Sequence, residues 1–326
     1  MEPPSYSIVI PVYKRVFGFR EALQSALNVK GCQEIVVVDD NSDHEQFRAI
    51  VDALGEDRIK YHKNEKNLGI FGNWNRGIEL AQGDFVSVLC SDDVIEPDAC
   101  EEFQRAYAAD PAIDVFFGSF CTFTDTPDRH GTHRSFPAGK MDGLDLIADA
   151  VHKGPGFSVL SIIRRTTARR YPFVAKPHSG NDWLWIYGNA SSFNLHSAGR
   201  PINYWRRHPD QDAAKSQSVT TDCWPLMYQR MEQQLRAAKH PLADKARNRA
   251  RGVILSWLLN DYANRANYFP RLRGSEADSN EFLRAAKEII VRDWMLSGLL
   301  NSEKGSAFFY QLGRIARKLG YYPATF

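Results

Sequence analysis

The sequence has few cysteines, and their arrangement argues against two classes of protein. Five cysteines, an odd number, are scattered over 326 residues without a Cys-x-x-Cys pair. This pattern argues against a disulfide framework and against a zinc site, and it favours a reducing compartment. The sequence also has no internal repeat and no low-complexity segment.

Long hydrophobic runs are missing as well. The N-terminal segment has no basic stretch ahead of its short apolar run, which is unlike a secretory signal peptide. The most apolar later stretch, residues 253–259, is far too short to span a bilayer. We therefore expect a cytoplasmic protein, with contact at the inner face of a membrane left open.

Charge is nearly balanced over the whole chain, with a formal net charge of +2, but it is unevenly distributed. Residues 1–222 carry 24 Lys and Arg against 30 Asp and Glu, whereas residues 223–326 carry 17 against nine. The basic segment suggests contact with an anionic surface such as phospholipid head groups, although a solvated helical face explains it equally well. Membrane docking, packing on the preceding domain and formation of a homodimer all stay open, and we predict no nucleic-acid partner.

The first half of the chain alternates short β-branched runs with helical patterns, which predicts a parallel sheet with crossover helices. The predicted strands cover residues 7–12, 34–38, 59–62, 85–89, 114–124, 158–164 and 203–207. The predicted helices cover residues 19–27, 45–54, 73–81 and 97–108, and a further helix is predicted to start over 182–187. The pattern is helical from residue 222 onward and includes an amphipathic helix over 308–319. We place the domain boundary near 215–222, so that residues 1–221 form one domain and residues 222–326 a helical region.

Acidic or turn-forming segments follow three predicted strands at the point where each strand ends. They are Pro11-Val12-Tyr13, Asp39-Asp40-Asn41-Ser42 and Ser91-Asp92-Asp93. Ligands of open α/β sheets bind beyond the carboxyl ends of the strands. A divalent cation that bridges a diphosphate would give clustered carboxylates a purpose there, since hard cations prefer carboxylate oxygen. An Asp-Asp pair after a strand, taken alone, is more often only a turn or a helix N-cap than a ligand site.

Together these segments resemble the large family 2 of inverting glycosyltransferases, which have the GT-A fold. The matching stretches are SIVIPVY at 7–13, IVVVDDNS at 35–42 and the whole of 67–93. Two later motifs extend the resemblance, NDWLW at 181–185 and YWRRH at 204–208. The resemblance implies an α/β GT-A fold with a Rossmann-like, mostly parallel sheet flanked by helices, followed by a C-terminal helical appendage.

The resemblance also implies a function and a set of partners. It predicts a metal-dependent, inverting transfer of a hexosyl-type or N-acetylhexosaminyl-type group from a nucleotide sugar. A UDP-sugar is the expected donor. The expected acceptor is a glycan or a lipid-linked saccharide in bacterial-type surface polysaccharide or glycan synthesis. The expected cofactor is Mn²⁺ or Mg²⁺.

Donor-binding residues carry over from the resemblance position by position. Pro11, Val12 and Tyr13 are expected to line the base pocket. Asp40 is expected to hydrogen-bond the base, with Asp39 supporting the loop.

The remaining donor and metal residues lie later in the matched motifs. Asn67 and Ser91 belong to the expected nucleotide-sugar site, and Asp92 is expected to face the ribose or the donor sugar. Asp93 and His208 are the expected metal ligands.

Asp182 resembles the catalytic base of the family. An acceptor hydroxyl is a poor nucleophile, so a positioned carboxylate must take its proton as the new bond forms. A single in-line displacement then inverts the anomeric configuration. An acid favoured by the helix dipole is the structural alternative for Asp182. Trp183 and Trp185 beside it are candidates for stacking on an acceptor sugar, although such aromatics are more often part of a core.

Two positions depart from the family pattern. Cys90 stands where many members have another aspartate, and Trp74 stands where many have an arginine that meets the diphosphate. The phosphate contact is then expected from an arginine elsewhere, and the candidates are Arg76, Arg206 and Arg207.

Several weaker candidates also follow from the sequence. His130 and His133 flank a predicted hairpin tip and suggest either a metal site or an exposed turn. Lys176 and His178 suggest a loop over the acceptor or plain surface. The four arginines within 164–170 suggest an anion patch or a solvated face.

Two other function classes stay open. One is a nucleotidyltransferase acting on a sugar phosphate, although the segment 14–18 has only one glycine and so lacks the glycine-rich phosphate loop that this class needs. The other is a catalytically degenerate nucleotide-sugar-binding protein, which the departures at Cys90 and Trp74 favour.

Overall fold

A computed structural model describes residues 2–127, 131–157, 160–174, 180–208, 223–264, 280–293 and 296–298, and the single positions 272, 274 and 278. The chain forms two compact units. The first comprises Met1–Leu146, Gly156–Pro177 and Ala190–Pro209, and the second comprises Ile147–Pro155, His178–Asn189 and Asp210–Phe326. The predicted boundary at 215–222 lies outside the described residues, so the division into 1–221 and 222–326 stays a prediction.

Strands are confined to the first unit within the described part of the chain. They are β1 (Tyr6–Val12), β2 (Glu34–Asp39), β3 (Ile59–Lys63), β4 (Phe85–Val88), β5 (Val94–Ile95), β6 (Val115–Phe117), β7 (Phe120–Phe123), β8 (Thr132–Arg134), β9 (Gly139–Met141), β10 (Ile162–Arg164), β11 (Leu195–Ser197) and β12 (Asn203–Arg206). One sheet has the order β3-β2-β1-β4-β10-β6-β11-β9, and a smaller sheet has the order β5-β12-β7-β8. The strands β3, β2, β1 and β4 run parallel, as the alternating sequence pattern predicted.

The helices occur in both units. They are α1 (Phe19–Leu27), α2 (Gln46–Leu54), α3 (Ile70–Leu80), α4 (Ala99–Ala109), α5 (Gly143–Lys153), α6 (Arg165–Arg170), α7 (Asn181–Asn189), α8 (Trp224–Ala237), α9 (Ala243–Asn264) and α10 (Glu281–Val291). A single 3₁₀ turn, Ala190–Ser192, follows α7. The helices predicted at 19–27, 45–54 and 97–108 are confirmed as α1, α2 and α4 to within a few residues.

The core of the first unit forms because the central strands are apolar on both faces. Strand β1 reads YSIVIPV and is buried at six of its seven positions, as expected of a parallel strand covered by helices on both sides. Helices α1 and α2 cover one face, where the rings of Phe19 and Phe47 meet edge to face with centroids 5.1 Å apart. This packing fixes where β1 and β2 end, and therefore where the polar segments that follow them lie.

The strand predicted over 114–124 is wrong as a single element. The structure has two strands there, β6 in the large sheet and β7 in the small one. The chain changes sheet at Gly118, where an added Cβ would lie 2.7 Å from the backbone nitrogen of Ile202. A side chain at this position would block the close backbone approach, so glycine is required at the point of divergence.

Helix α3 begins at Ile70, three residues before the predicted start at 73. The reason lies directly after β2, because the carboxylate of Asp40 accepts hydrogen bonds from the backbone amides of Leu68 and Gly69 just ahead of the helix. These donors lead into the first turn of the helix, and the local sequence contains no capping side chain that would reveal the start.

The regular secondary structure described in the second unit is helical, which agrees with the helical pattern predicted after residue 222. Helix α8 packs against α7, α9 and α10. The buried side chain of Gln229 on α8 donates a hydrogen bond to Glu288 on α10 at 2.7 Å. Asn280 caps α10, since its side-chain oxygen accepts from the amides of Phe282 and Leu283. The amphipathic helix predicted over 308–319 lies outside the described residues.

Within the described residues, every helix is too short or too polar to cross a bilayer. Membrane contact and a homodimer through the basic C-terminal segment stay predictions, as does the cytoplasmic location.

Candidate active site

The first strand ends with an exposed aromatic ring at one edge of the large sheet. Val12 is paired in register with Asp39, and its carbonyl accepts a hydrogen bond from the amide of Asp40 at 2.9 Å. Val12 is part of the core and Pro11 is partly exposed, whereas Tyr13 is 44% exposed. Of the three predicted base-pocket residues, Tyr13 is therefore the one whose side chain is most open to a ligand.

Asp39, the last residue of β2, and Asp40, the residue after it, are buried and hold neighbouring loops in place. Asp39 accepts from the amide of Ser42 at 2.8 Å and from the hydroxyl of Tyr61 at 2.7 Å. Asp40 accepts from the side-chain amide of Asn64 at 3.0 Å, in addition to the two backbone amides ahead of α3. Ionised carboxylates with several donors are stabilised even when buried. Both aspartates therefore build the edge on which a ligand would lie.

Asn67 lies exposed in the turn that Asp40 organises. Its side-chain nitrogen donates to the carbonyl of Asp40 at 3.3 Å, and its side-chain oxygen accepts from the amide of Gly69 at 3.1 Å. The structure thus brings the predicted donor residues Asp40 and Asn67 together at the same edge as Tyr13.

The acidic pair after β4 is held by β12, the strand of the YWRRH motif. Strand β12 pairs with β5 directly after Asp93. The carboxylate of Asp93 accepts from the backbone amide of Arg206 at 2.9 Å, and the Arg206 guanidinium donates to the carbonyl of Asp92 at 2.7 Å. Ser91 is partly buried beside them. Residues more than 110 positions apart are thereby fixed at one edge.

One carboxylate oxygen of Asp92 has two neighbours, the guanidinium of Arg15 and the imidazole of His208. Its Oδ2 accepts from Nη2 of Arg15 at 2.7 Å and lies 2.9 Å from Nε2 of His208. The ring of Phe17 packs on His208 with centroids 5.0 Å apart. The predicted neighbourhood of the acidic pair and His208 is therefore present, with Asp92 as the residue in contact with the imidazole.

Asp93 is almost fully buried, and its environment favours the protonated form. Burial, followed by the charge of Asp92, raises the pKa of Asp93 well above its usual value, while hydrogen bonds from the Arg206 amide and from Cys90 and the Arg206 charge act in the opposite direction. The Cys90 thiol therefore interacts with the acidic pair, in a position where many family members have a carboxylate.

The loop of residues 13–18, which joins β1 to α1, packs directly on Asp92. Gly18 has φ +79°, and a Cβ added there would lie 2.8 Å from the Cα of Asp92. Both the left-handed backbone and the close approach require glycine at this position.

We expect Gly18→Ala to destabilise the protein more than Gly55→Ala. Gly55 also has a positive φ, +61°, but an added Cβ there meets no atom within 4 Å. The left-handed backbone costs about 1–2 kcal/mol in both variants. The clash with Asp92 adds roughly 1–3 kcal/mol to Gly18→Ala alone. Urea unfolding measures both values, and equal losses would contradict the packing of this loop on Asp92.

The three arginines predicted to contact phosphate differ in solvent exposure and in the contacts that they already make. Arg206 is buried and ion-paired with Glu21, and it lies 4.4 Å over the ring of Phe123. Arg207 is exposed and lies 4.9 Å over the ring of Trp205, and Arg76 is exposed and contacts Glu79. Sequence reasoning missed Arg15, because its contact with Asp92 joins positions 77 residues apart.

Trp74 is a core residue. It is 5% exposed and packs on the rings of Phe71 and Phe173 with centroids 4.8 and 5.3 Å away. The departure at this position is therefore a packing feature in this chain.

Asp182 lies in the second unit, at the start of α7. It is partly buried, and burial raises the pKa of Asp182 to about 6, although backbone hydrogen bonds with Trp183 and with Asp182 itself oppose the shift. Trp185 is buried in the core, and Trp183 packs on Trp224 with ring centroids 6.2 Å apart. A carboxyl group with a pKa near 6 is suited to accept a proton at neutral pH.

The weaker candidates have structural explanations where they are described. His133 contacts the hydroxyl of Thr122 at 2.7 Å between the paired strands β7 and β8. Arg164 and Arg165 donate to backbone carbonyls, those of residues 111 and 113 for Arg164 and of Gly83 for Arg165. His130, Lys176 and His178 lie outside the described residues.

Comparison with known proteins assigns the chain to a family. The profile described as glycosyl transferase family 2 matches residues 7–169, which is half of the chain. The chain belongs to glycosyltransferase family 2. The family suggested by the strand-end motifs is thereby confirmed.

Curated relatives of this family 2 chain include proteins of surface-glycan synthesis from two bacteria. A succinoglycan biosynthesis protein, ExoO of Rhizobium meliloti, is 35% identical over 34% of this chain and 32% of its own length. A GalNAc(5)-diNAcBac-PP-undecaprenol beta-1,3-glucosyltransferase of Campylobacter jejuni is 36% identical over 28% of this chain and 30% of its own length. The chain therefore aligns with about a third of the length of these relatives.

A solved structure shares the fold over nearly the whole family 2 chain. Residues 1–349 of Staphylococcus aureus TarS, crystallised in complex with UDP-GlcNAc, superpose with a TM-score of 0.61 at 16% identity. The match covers 98% of this chain and 93% of that one. The predicted GT-A fold is confirmed.

Two side chains at the edge of the sheet offer ligand atoms for a divalent cation, which the resemblance to family 2 implies. The Asp92 carboxylate and the His208 imidazole offer one oxygen and one nitrogen only 2.9 Å apart. Carboxylate oxygen suits both Mn²⁺ and Mg²⁺, whereas imidazole is a ligand of transition metals. Within the described ranges, no three His, Cys, Asp or Glu side chains are grouped so as to hold an ion. Ions of this type are often held by one or two protein groups together with substrate phosphates. Asp92, which was expected to face the ribose or the donor sugar, would hold the ion together with His208, and Asp93 stays a predicted ligand.

Proposed function

We propose that this protein transfers a glycosyl group from a nucleotide sugar, with a UDP-sugar as the donor class, to a saccharide or lipid-linked acceptor. The observation that carries the proposal is the contact of Asp92 with His208 and Arg15 at the carboxyl ends of the central strands. This edge also carries the exposed ring of Tyr13. Family membership and a TarS structure that contains UDP-GlcNAc support the donor class.

On the donor side, each group has a distinct task. The Tyr13 ring offers a face for the base, and the side-chain amide of Asn67 offers polar contacts beside it. Arg15 supplies a cationic donor next to the position for the diphosphate. A divalent cation, when bound, offsets the charge that builds on the leaving nucleotide.

On the acceptor side, Asp182 is the proposed base. Its carboxylate would take the proton of the acceptor hydroxyl as that oxygen attacks the anomeric carbon and the bond to the leaving diphosphate breaks. A single displacement of this kind inverts the anomeric configuration. The raised pKa of Asp182 supports this role, because it keeps the conjugate acid close to solution pH.

The acceptor class rests on the relatives. One is named as a succinoglycan biosynthesis protein, and another as a glucosyltransferase acting on an undecaprenol-linked saccharide. We propose surface polysaccharide or glycan synthesis as the setting, with a hexosyl or N-acetylhexosaminyl group transferred.

A thermal-shift series with UDP, GDP and dTDP, each with and without Mn²⁺, tests the donor class. We expect UDP with Mn²⁺ to raise the melting temperature most. A ligand at 100 times its Kd stabilises a native protein by about 2.7 kcal/mol. Asp52→Asn, on the exposed face of α2, should respond as the wild type does. No shift with any nucleoside diphosphate would contradict the proposal.

Turnover distinguishes the remaining classes. We expect UDP release from a UDP-sugar in the presence of a saccharide acceptor and Mn²⁺. Donor binding without turnover over a broad acceptor panel would instead indicate a binding protein. Release of pyrophosphate from UTP and a sugar phosphate would indicate a nucleotidyltransferase.

A further inference from the structure

The same carboxylate oxygen of Asp92 contacts both Arg15 and His208. A cation that binds to this oxygen must therefore compete with Arg15 for it. The Oδ2 atom accepts from the Arg15 guanidinium at 2.7 Å and lies 2.9 Å from the His208 imidazole. The Asp92 and His208 side chains are each only 10% exposed. A cation bound between this oxygen and this nitrogen would meet the Arg15 charge at contact distance, which a weakly hydrated pocket does not tolerate.

Arg15 is the more exposed of the two arginines at the acidic pair. Its side chain is 31% exposed, against 6% for Arg206. Arg206 is also fixed by hydrogen bonds to the carbonyls of Asp92 and Thr124 and by its ion pair with Glu21. A long side chain at the surface can turn while its backbone stays in place.

The backbone on both sides of Arg15 is anchored. The amide of Lys14 donates to the hydroxyl of Ser42 at 2.9 Å, and the Lys14 carbonyl contacts His44 at 2.8 Å. Gly18 packs on the backbone of Asp92. Any movement of the Arg15 charge is therefore a movement of its side chain, within reach of the same edge of the sheet.

We propose that Arg15 is an exchangeable counter-ion of the donor site. In the free protein its guanidinium neutralises Asp92. When a nucleoside diphosphate binds, the guanidinium turns from Asp92 to the phosphate oxygens, and the Asp92 oxygen becomes available to the cation. This proposal rests on the proposed function, since it requires a diphosphate ligand at this edge.

The exchange couples the binding of cation and nucleotide. Without a diphosphate, the Arg15 charge lowers the affinity of the site for the cation. Once the cation is bound, Arg15 contacts the phosphate oxygens and raises the affinity for the diphosphate. Removing Arg15 should therefore change the two affinities in opposite directions. A purely structural arginine would not do this, because its loss would weaken both.

The test measures Mn²⁺ binding without nucleotide, by electron paramagnetic resonance of the free ion, and UDP binding at saturating Mn²⁺, by calorimetry. We expect Arg15→Ala to strengthen Mn²⁺ binding roughly tenfold and to weaken UDP binding roughly tenfold, the size expected for one charge-assisted contact. Arg15→Lys, which keeps the charge, should lie between Arg15→Ala and the wild type in both measurements. Arg48→Ala, at the exposed ion pair with Asp52, should match the wild type.

The outcomes separate this proposal from the proposed function. If the wild type binds UDP with Mn²⁺ but Arg15→Ala leaves Mn²⁺ affinity unchanged or lowers it, the exchange is wrong and the donor site stands. If the wild type binds no UDP with or without Mn²⁺, the proposed function itself fails. Arg15→Met repeats the measurement with a side chain of similar length, in case Arg15→Ala does not fold.

Discussion

The variant Asp182→Asn is expected to lower kcat for glycosyl transfer by about 10²–10⁴, the usual contribution of a positioned general base. Asparagine has nearly the same shape and can still lie at the start of α7, but it cannot accept the proton of the acceptor hydroxyl. UDP binding with Mn²⁺ should stay at the wild-type value, because Asp182 is proposed to act on the acceptor.

The same residue predicts a pH dependence. Because burial raises the pKa of Asp182 to about 6, the ionised base is present above pH 6 and is lost as the pH falls through 6. The wild-type value of kcat/KM should therefore fall about tenfold per pH unit below pH 6. The residual activity of Asp182→Asn should lack this limb.

A matched control is available in the same unit. Asp244 lies in the first turn of α9, is exposed, and pairs with Arg236 at 2.7 Å. Asp244→Asn should keep both the wild-type rate and the wild-type pH profile. If Asp182→Asn retains more than a tenth of wild-type kcat, the carboxylate is not the base.

The variant Asp92→Asn is expected to reduce Mn²⁺-dependent transfer by about 10²–10³, the loss typical of removing one preorganised electrostatic group. An amide offers no negative charge to a cation and cannot neutralise Arg15. The affinity for UDP in the presence of Mn²⁺ should fall as well, and stimulation of the rate by Mn²⁺ should be largely lost. Steady-state kinetics at increasing Mn²⁺ measure these effects.

Asp84 provides the control for Asp92, because it lies at the opposite end of the same strand. It precedes β4 and accepts from the amide and the hydroxyl of Ser5 at 3.0 and 2.7 Å. Asp84→Asn removes one carboxylate charge at a comparable cost in hydrogen bonding but far from the carboxyl edge. It should transfer at the wild-type rate, and an equal loss in both variants would mean that Asp92 acts only on stability.

The central strands could be predicted well from the sequence because each of them is a run of consecutive apolar residues. The runs at β1, β2 and β4 are apolar on both faces, so their length and type follow from local composition. The polar segments at their ends were predicted for the same reason, since parallel strands bring their carboxyl ends to one edge. Asp40, Asp92 and Tyr13 therefore lie at the same edge of the sheet, as expected.

What the sequence did not predict depends on distant contacts. The division into β6 and β7 depends on backbone that approaches Gly118 from residue 202. The early start of α3 depends on Asp40, which directly follows β2 and lies 30 positions before the helix. Helix α5 and strand β11 fall in a stretch without a regular pattern. The contact between Arg15 and Asp92 has no local sequence signal. It forms because the loop of residues 13–18 packs on Asp92, and this packing cannot be inferred from the sequence.

The most direct test of the donor site is a crystal structure of the protein with UDP and Mn²⁺, with data collected at the manganese absorption edge. We predict an anomalous peak in contact with Asp92 and His208, the diphosphate on that ion, and the Arg15 guanidinium turned from Asp92 to a phosphate oxygen. UDP bound away from the ends of β1, β2 and β4, or bound there with Arg15 still on Asp92 and no peak beside it, would contradict this prediction.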